Sequence, residues 1–219
     1  MAMASLPMSI GMFIFSIGVG FFAYYIMNDE PKATKKKYMN EVLGQIINIV
    51  IYIWIAKVIL NFSIVITDPL AILSYPSDAN AFYFAILCSA ITIVTLLKRR
   101  KLSMALFMHA FIHIFLIASF VYELIHIVWN DYTYQIGYFT LITLLIIALI
   151  SLHDSVPLYW LNIGMILAWT IGSFGLIMNL PIVMVFGYTM MPGFFIFITM
   201  ITLFFIMYQN RRDVINDRN

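Results

Sequence analysis

Charged residues are scarce in this sequence, and that scarcity excludes an ordinary water-soluble domain. Only 10% of the 219 residues are charged, against roughly 25% in a typical globular protein. Hydrophobic residues make up 63% of the chain and form continuous rather than alternating runs. Because lipid offers no hydrogen-bond partners to the backbone, such runs predict membrane-spanning helices. The sequence therefore predicts an all-α integral membrane protein.

Cysteine and phosphate-binding motifs are nearly absent as well. The single cysteine, Cys88, excludes an internal disulfide, a cysteine metal cluster and a thiol relay within the chain. Gly18-Val19-Gly20 lies inside an apolar run and is not a phosphate loop. Ser16 and Gly20, four residues apart, instead predict a close approach of another helix to the first span. No metal and no cofactor is predicted.

Apolar runs of about 20 residues predict seven spans in a single integral membrane domain over residues 1–219. The connections are short, which predicts antiparallel neighbours in a polytopic transmembrane helix bundle. Pro192-Gly193 predicts a kink in the last span. The predicted spans are 7–27, 42–66, 79–97, 102–129, 132–152, 158–178 and 182–208.

The basic residues predict the orientation of this bundle. Eleven of the twelve lysines and arginines fall in three clusters, each after an apolar run. With the N-terminus outside and the C-terminus cytoplasmic, all three clusters face the cytoplasm, as the positive-inside rule requires. Loops 28–38, 98–101 and 153–157 are then cytoplasmic. The clusters are Lys32/Lys35/Lys36/Lys37, Lys98/Arg99/Arg100/Lys101 and Arg211/Arg212/Arg218.

The fourth span carries most of the ionisable residues that lie inside apolar runs, where such groups indicate function. His109, His113 and Glu123 share one helical face, with Ser119 and His126 off it. His109 and His113 are spaced to reach one metal ion, but a third ligand is needed and Glu123 lies about 15 Å away. Hydrogen-bonded core histidines, a metal or haem role, and a proton-linked or headgroup role remain open.

Lys57 is the one basic residue outside the clusters, and it lies within the second span. Its predicted depth matches that of Glu123. An ion pair would lower the cost of keeping both charges in the membrane, and a site for an anionic group such as a lipid phosphate is the alternative. Glu41, at the inner end of the same span, is expected to face Lys35 to Lys37.

Several short segments occur in a familiar order. They are Leu6-Pro7-Met8-Ser9-Ile10, the basic turn at Lys35 to Lys37, Ala56-Lys57, Asp68-Pro69 through Ile72-Leu73, and Lys98-Arg99-Arg100-Lys101-Leu102-Ser103. This layout resembles prolipoprotein diacylglyceryl transferase, a bacterial inner-membrane family with seven spans and an outer N-terminus. The resemblance implies a multi-pass protein of a bacterial cell membrane.

The family's working motifs are replaced in this chain. Tyr83-Phe84-Ala85 stands where the family has His-Gly-Gly, and Ala56-Lys57 where it has Ala-Arg. Phe120 to Leu124 stands in place of Gly-Arg-x-Gly-Asn, and Gly172-Ser173 in place of a late Gly-Arg. Transfer of a diacylglyceryl group from phosphatidylglycerol to a cysteine needs a base and fixed positive charge. The resemblance therefore implies a shortened relative without that activity, and no catalytic residue is predicted.

The leading functional prediction is a non-catalytic or differently active membrane protein with a transferase-like bundle, which binds a lipid or a partner membrane protein. Lys57, Glu123 and Tyr83 are the candidate lipid or anion contacts, and His109, His113 and His126 are the polar residues of span 4. The expected partners are membrane phospholipid and possible membrane protein or lipoprotein, with no nucleic acid. The alternatives are a lipid or acyl transferase using His109, His113 or Glu123, and a small-solute permease or membrane substrate-binding component.

Overall fold

The computed structural model describes residues 6–68, 79–130, 135–179, 183–200 and 202–203. Some expectations fall outside these ranges and are not taken further as structure. They concern the segment from Pro69 through Ile72-Leu73, the first residues of the predicted span 132–152, and the C-terminal basic cluster.

Apolar helices dominate the described ranges. Five of them, α1, α2, α4, α5 and α7, are long and apolar enough to cross a membrane, and α6 is a shorter apolar helix of 17 residues. The protein is therefore an integral membrane protein with an all-α bundle, and the seven-span count stays a prediction. The helices are α1 (Leu6–Met27), α2 (Lys32–Leu60), α3 (Phe62–Thr67), α4 (Ala79–Arg100), α5 (Met104–Asn130), α6 (Ile136–Leu152), α7 (Leu158–Asn179) and α8, described over 192–200.

Large apolar side chains lie on the outside of these helices. Ile14, Phe22, Ile91 and Ile171 are 64% to 69% exposed. Soluble monomers rarely expose contiguous apolar surface of more than a few hundred square ångströms. These exposed apolar faces are therefore suited to contact with the acyl chains of a membrane.

The second predicted span is interrupted in the structure. Its helix, α2, already begins at Lys32 and ends at Leu60. Asn61 then leaves helical geometry, with φ −115° and ψ 34°. The Nδ2 of Asn61 donates a hydrogen bond of 2.9 Å to the carbonyl oxygen of Lys57. The same carbonyl also accepts the backbone N–H of Asn61 at 3.1 Å, so this residue closes the last turn of α2, and α3 begins after it as a separate short helix.

The prediction of one continuous helix over 182–208 is wrong in its first part. Strands β1 (Met184–Val185) and β2 (Tyr188–Thr189) form an antiparallel hairpin there. Phe186 and Gly187 connect them with φ values of 49° and 83°, as a two-residue hairpin turn of type I′ requires. Pro192 begins α8 instead of kinking it, because the first helical turn does not need the N–H that proline lacks.

The chain divides into two compact units. Unit 1 consists of Met1–Met39 and Met104–Asn219, and unit 2 of Asn40–Ser103. Within unit 1, α5 packs against α1, α6 and α7, and 67% of its most apolar window is buried. The helix α5 is therefore the centre of unit 1.

Helix α1 approaches α5 closely at its small residues. A methyl group placed on Gly20 would lie 2.7 Å from the carbonyl oxygen of Ile114 and 3.3 Å from the Cβ of Ala118. Ser16, one turn earlier, is fully buried and donates a 2.7 Å hydrogen bond to the carbonyl oxygen of Met12. The predicted close helix approach at Ser16 and Gly20 is confirmed.

Unit 2 contains α2 from residue 40 onward, α3 and α4. Glu41 and Arg100 form an ion pair that joins the beginning of α2 to the end of α4. Glu41 was expected to face Lys35 to Lys37. Lys35 is instead engaged within unit 1, where its Nζ donates to the carbonyl oxygens of Tyr25 and Asn28 at 2.9 and 2.8 Å.

Candidate functional site

The polar residues of α5 are buried inside the protein. His109, His113, Ser119, Glu123 and His126 are between 2% and 7% exposed. The expected inward face of His109, His113 and Glu123 is therefore observed. Ser119 and His126 are buried as well, because neighbouring helices cover α5 on several sides. Burial alone assigns none of these residues a function.

His109 and His113 lie one above the other on α5, with ring centroids 6.2 Å apart. The ring of Tyr24 contacts His113 edge-on at 5.5 Å. Among the described residues, neither Nδ1 atom has a hydrogen-bond partner. Since buried polar atoms are normally bonded, each such nitrogen requires an explanation.

A recess lies at the end of unit 1 where α1 ends and α7 begins. Its volume is about 230 Å³. The ring of His153 stacks on that of His109 there, with centroids 5.3 Å apart and an interplanar angle of 22°. We call it the acidic recess; it is lined by Asn28, Asp29, Glu30, Pro31, His109, His153 and Leu158.

Two residues that line the acidic recess, Asp29 and His153, converge with the neighbouring Asp154. Asp29, His153 and Asp154 each place one possible ligand atom within 4.8 Å of the other two. Carboxylate oxygens and an imidazole nitrogen are donors that divalent transition ions accept. These residues can therefore hold a metal ion.

Asp29, His153 and Asp154 were not among the site residues predicted from the sequence. They lie in two predicted cytoplasmic loops, 28–38 and 153–157, that are far apart in the chain. The available signal was the shared side of the membrane, together with the adjacent His153-Asp154 pair. Without the packing of α1, α6 and α7 on α5, nothing in the sequence places these two loops side by side.

Tight turns fix the two loops that carry these residues. In the first, Asn28 Oδ1 accepts a 2.9 Å hydrogen bond from the backbone N–H of Glu30. Lys35 donates to the carbonyl oxygen of Tyr25, in the last turn of α1, where carbonyl groups lack helical partners, and to that of Asn28 just after the helix. In the second, the N–H of Ser155 donates to the carbonyl oxygen of Leu152 at 3.2 Å. Asp29 and His153 therefore project from short, hydrogen-bonded turns.

A second recess lies within unit 2, between the middle of α2 and the last turns of α4. Its volume is about 250 Å³. Gln45, 1% exposed, accepts hydrogen bonds at Oε1 from Thr92 Oγ1 at 3.2 Å and from Asn48 Nδ2 at 3.5 Å. We call it the arginine recess; it is lined by Gln45, Asn48, Thr92, Thr95, Leu96, Arg99 and Arg100.

The predicted lipid contacts lie outside both recesses. Lys57 is 4% exposed, and its Nζ lies 4.8 Å from the ring centroid of Trp54, a cation–π geometry that offsets part of the cost of burial. Tyr83 is half-buried with its ring 6.4 Å from that of Phe82. Lys57 belongs to unit 2 and Glu123 to unit 1, and their ion pair remains a prediction.

The fold and the two recesses define a multi-helix integral membrane protein with polar sites at helix ends. No protein-family model, no curated protein and no solved structure matches the chain. The similarity to prolipoprotein diacylglyceryl transferase therefore rests on the order of segments in the sequence alone.

Proposed function

We propose that this protein binds the headgroup of an anionic phospholipid in the arginine recess. The observation that carries the proposal is the buried amide of Gln45, which shares one cavity with Arg99 and Arg100. A phosphodiester requires positive charge together with hydrogen-bond donors, and arginine is well suited to it because its planar guanidinium donates two parallel bonds. Thr92 and Asn48 add further polar groups to the same wall.

The arginines alone would not support this proposal. Basic residues in the last turn of α4 stabilise the negative end of the helix dipole, and they follow the positive-inside rule wherever they point. Neither effect requires a buried glutamine beside half-buried asparagine and threonine side chains on apolar helices, where polar groups are costly to bury. The recess has a volume of about 250 Å³, well above the roughly 10–15 Å³ that a single water molecule needs.

Arg99 is the residue on which the proposal depends most. Arg100 already pairs with Glu41, which neutralises part of its charge. Arg99 has no ion-pair partner among the described residues. We therefore assign the principal phosphate contact to Arg99, with Arg100 and Thr92 in support.

The predicted topology and family resemblance narrow the class of lipid. If the basic clusters face the cytoplasm of a bacterial cell, the recess opens to the inner leaflet. Phosphatidylglycerol, the lipid used by the family that the sequence resembles, is an anionic phospholipid of the required chemistry. We propose that this seven-span chain binds such a lipid without transferring its diacylglyceryl group, because the family's motif positions carry other residues.

Native mass spectrometry of the detergent-solubilised protein tests this function. Phosphatidylglycerol should be retained in preference to zwitterionic phosphatidylcholine. Arg99→Gln should weaken that retention about tenfold or more, as expected for a hydrogen-bonded charge. The matched control is Lys98→Gln, which removes the same charge from a neighbouring residue outside the recess and should change retention by less than about twofold.

Two outcomes would contradict the proposal. Equal losses in Arg99→Gln and Lys98→Gln would show only a diffuse attraction to basic residues. A loss in Lys57→Gln with full retention in Arg99→Gln would place the headgroup at Lys57, as the sequence first suggested.

A further inference from the structure

We infer that the acidic recess of unit 1 is a binding site for a divalent first-row transition metal ion, held by Asp29, His153 and Asp154. This site is separate from the proposed lipid function, since its residues all belong to unit 1 and the arginine recess belongs to unit 2. Its ligands come from the turn after α1 and the turn after α6.

The convergence of donor atoms is the first observation behind this site. One imidazole nitrogen and two carboxylate oxygens lie within 4.8 Å of one another, close enough for one ion to bind all three after small rotations of exposed side chains. Two carboxylates balance the charge of a divalent ion. Glu30 lines the same recess and adds a further negative group.

A buried histidine facing this cluster is the second, independent observation. His109 is 2% exposed, lines the recess and stacks on His153. Its Nδ1 has no hydrogen-bond partner in the described part of the chain. The ring of His109, stacked on that of His153, limits the rotation of this imidazole, and neighbours that fix the orientation of a metal ligand strengthen metal binding. We therefore assign His109 as a positioning residue for His153.

The mixture of donors decides the class of ion. Magnesium and calcium prefer shells made of oxygen atoms alone. An imidazole together with carboxylates suits zinc, manganese, iron or cobalt instead. With three protein ligands, an ion here would keep at least one position for water, so it would exchange with the solvent more readily than in a closed structural site.

A bound ion would join two loops that are distant in the sequence. Asp29 follows α1, whereas His153 and Asp154 follow α6. Because the ion binds only the folded arrangement, it should stabilise unit 1 in proportion to its concentration. The test therefore measures binding and stability and does not rely on any activity of the protein.

Zinc binding can be measured directly on the full chain. The protein should be purified without a histidine tag, stripped with a chelator and titrated with ZnCl₂ in a calorimeter. We expect one ion per chain, and a rise of about 3–6 °C in the thermal midpoint at ten times the dissociation constant. Replacing zinc by cobalt should give visible absorption bands of the bound ion, which report nitrogen and oxygen ligation. Magnesium should give neither the heat nor the stabilisation.

Conservative variants separate ligation from folding. His153→Ala and Asp154→Asn alter half-buried and exposed side chains respectively, so both should fold, and each should weaken zinc binding about 10- to 100-fold. Asp68→Asn removes a carboxylate from unit 2 and should leave the affinity unchanged.

His109→Phe keeps a ring against His153 and should preserve the affinity within about threefold, whereas His109→Ala should weaken it more.

Clear results would overturn the inference. The first is that the wild type does not bind zinc. The second is that His153→Ala and Asp154→Asn bind zinc as tightly as the wild type, and the third is that magnesium binds as tightly as zinc. A loss in His109→Phe as large as that in His153→Ala would overturn the positioning role of His109 and make it a direct ligand.

Discussion

The contribution of an ion pair to stability depends on how exposed each of its two partners is, and the partners differ strongly in the pair of Glu41 and Arg100. In the Glu41–Arg100 ion pair, the side chain of Glu41 is 9% exposed and that of Arg100 is 62% exposed. Water screens the arginine but hardly reaches the carboxylate. Loss of the arginine would therefore leave a largely desolvated negative charge without a partner.

We predict that Arg100→Gln destabilises the protein by about 1–2 kcal/mol, less than a fully buried pair because the exposed guanidinium is screened. Thermal unfolding in detergent, followed by circular dichroism, measures the change. Adding Glu41→Gln to this variant should restore most of the stability, since no buried charge then remains. A loss no greater than that of Lys98→Gln would show that the pair contributes nothing.

Buried charged residues could be recognised from the sequence, but the residues with which they pair could not. Lys57 and Glu123 stand out because charged residues are rare in apolar runs, and both prove to be buried. Arg100 was counted only as a member of a basic cluster, and the pairing with Glu41 depends on how α2 and α4 pack. The ligand set of Asp29, His153 and Asp154 was missed for the same reason.

At the scale of helices, the close approach of α1 to α5 depends on one missing side chain. A Cβ at Gly20 would overlap a backbone carbonyl oxygen at 2.7 Å, and a backbone atom cannot move aside as a flexible side chain can. Gly18, half a turn earlier, has nothing within 4 Å of such a methyl group. The two glycines therefore form a matched pair within one helix.

Gly20→Ala should destabilise the protein by about 1–3 kcal/mol, because α1 must move away from Ile114. Gly18→Ala should be neutral or stabilising by up to about 1 kcal/mol, since alanine favours the helix over glycine. Differential scanning of both variants in the same detergent measures the contrast. Equal destabilisation by the two substitutions would contradict the close packing at Gly20.

The positions of most helices could be predicted from the apolar runs. The prediction failed after residue 182, where an equally apolar run forms a β-hairpin. The apolar runs predicted α1, α4, α5 and α7 with ends within a few residues of those observed. The run after residue 182 is equally apolar, yet Phe186 and Gly187 adopt the left-handed backbone of a hairpin turn. The ring of Phe186 packs against Phe13, Phe115 and Tyr122 with centroids 5.3 to 5.8 Å away. These long-range contacts stabilise a turn that the local sequence does not reveal.

For the whole molecule, the distribution of basic residues predicts the side of the membrane on which each loop lies. The pairing of Glu41 with Arg100 joins α2 to the end of α4 within unit 2. That the first and second basic clusters share a membrane face stays a prediction. The orientation of that face toward the cytoplasm rests on the positive-inside rule.

Labelling of introduced thiols measures this topology in intact bacterial cells. Cys88 is first replaced by alanine, since it is the only cysteine of the chain, and single cysteines are then introduced as Lys36→Cys, Lys98→Cys and Trp129→Cys. Residues 36, 98 and 129 are all exposed, so differences in labelling report sidedness rather than burial. A membrane-impermeant maleimide should label residue 129 from outside and reach residues 36 and 98 only after permeabilisation. Labelling of residues 36 and 98 from opposite sides would contradict the predicted orientation, and labelling of residue 98 from outside would contradict the proposed placement of the arginine recess at the inner leaflet.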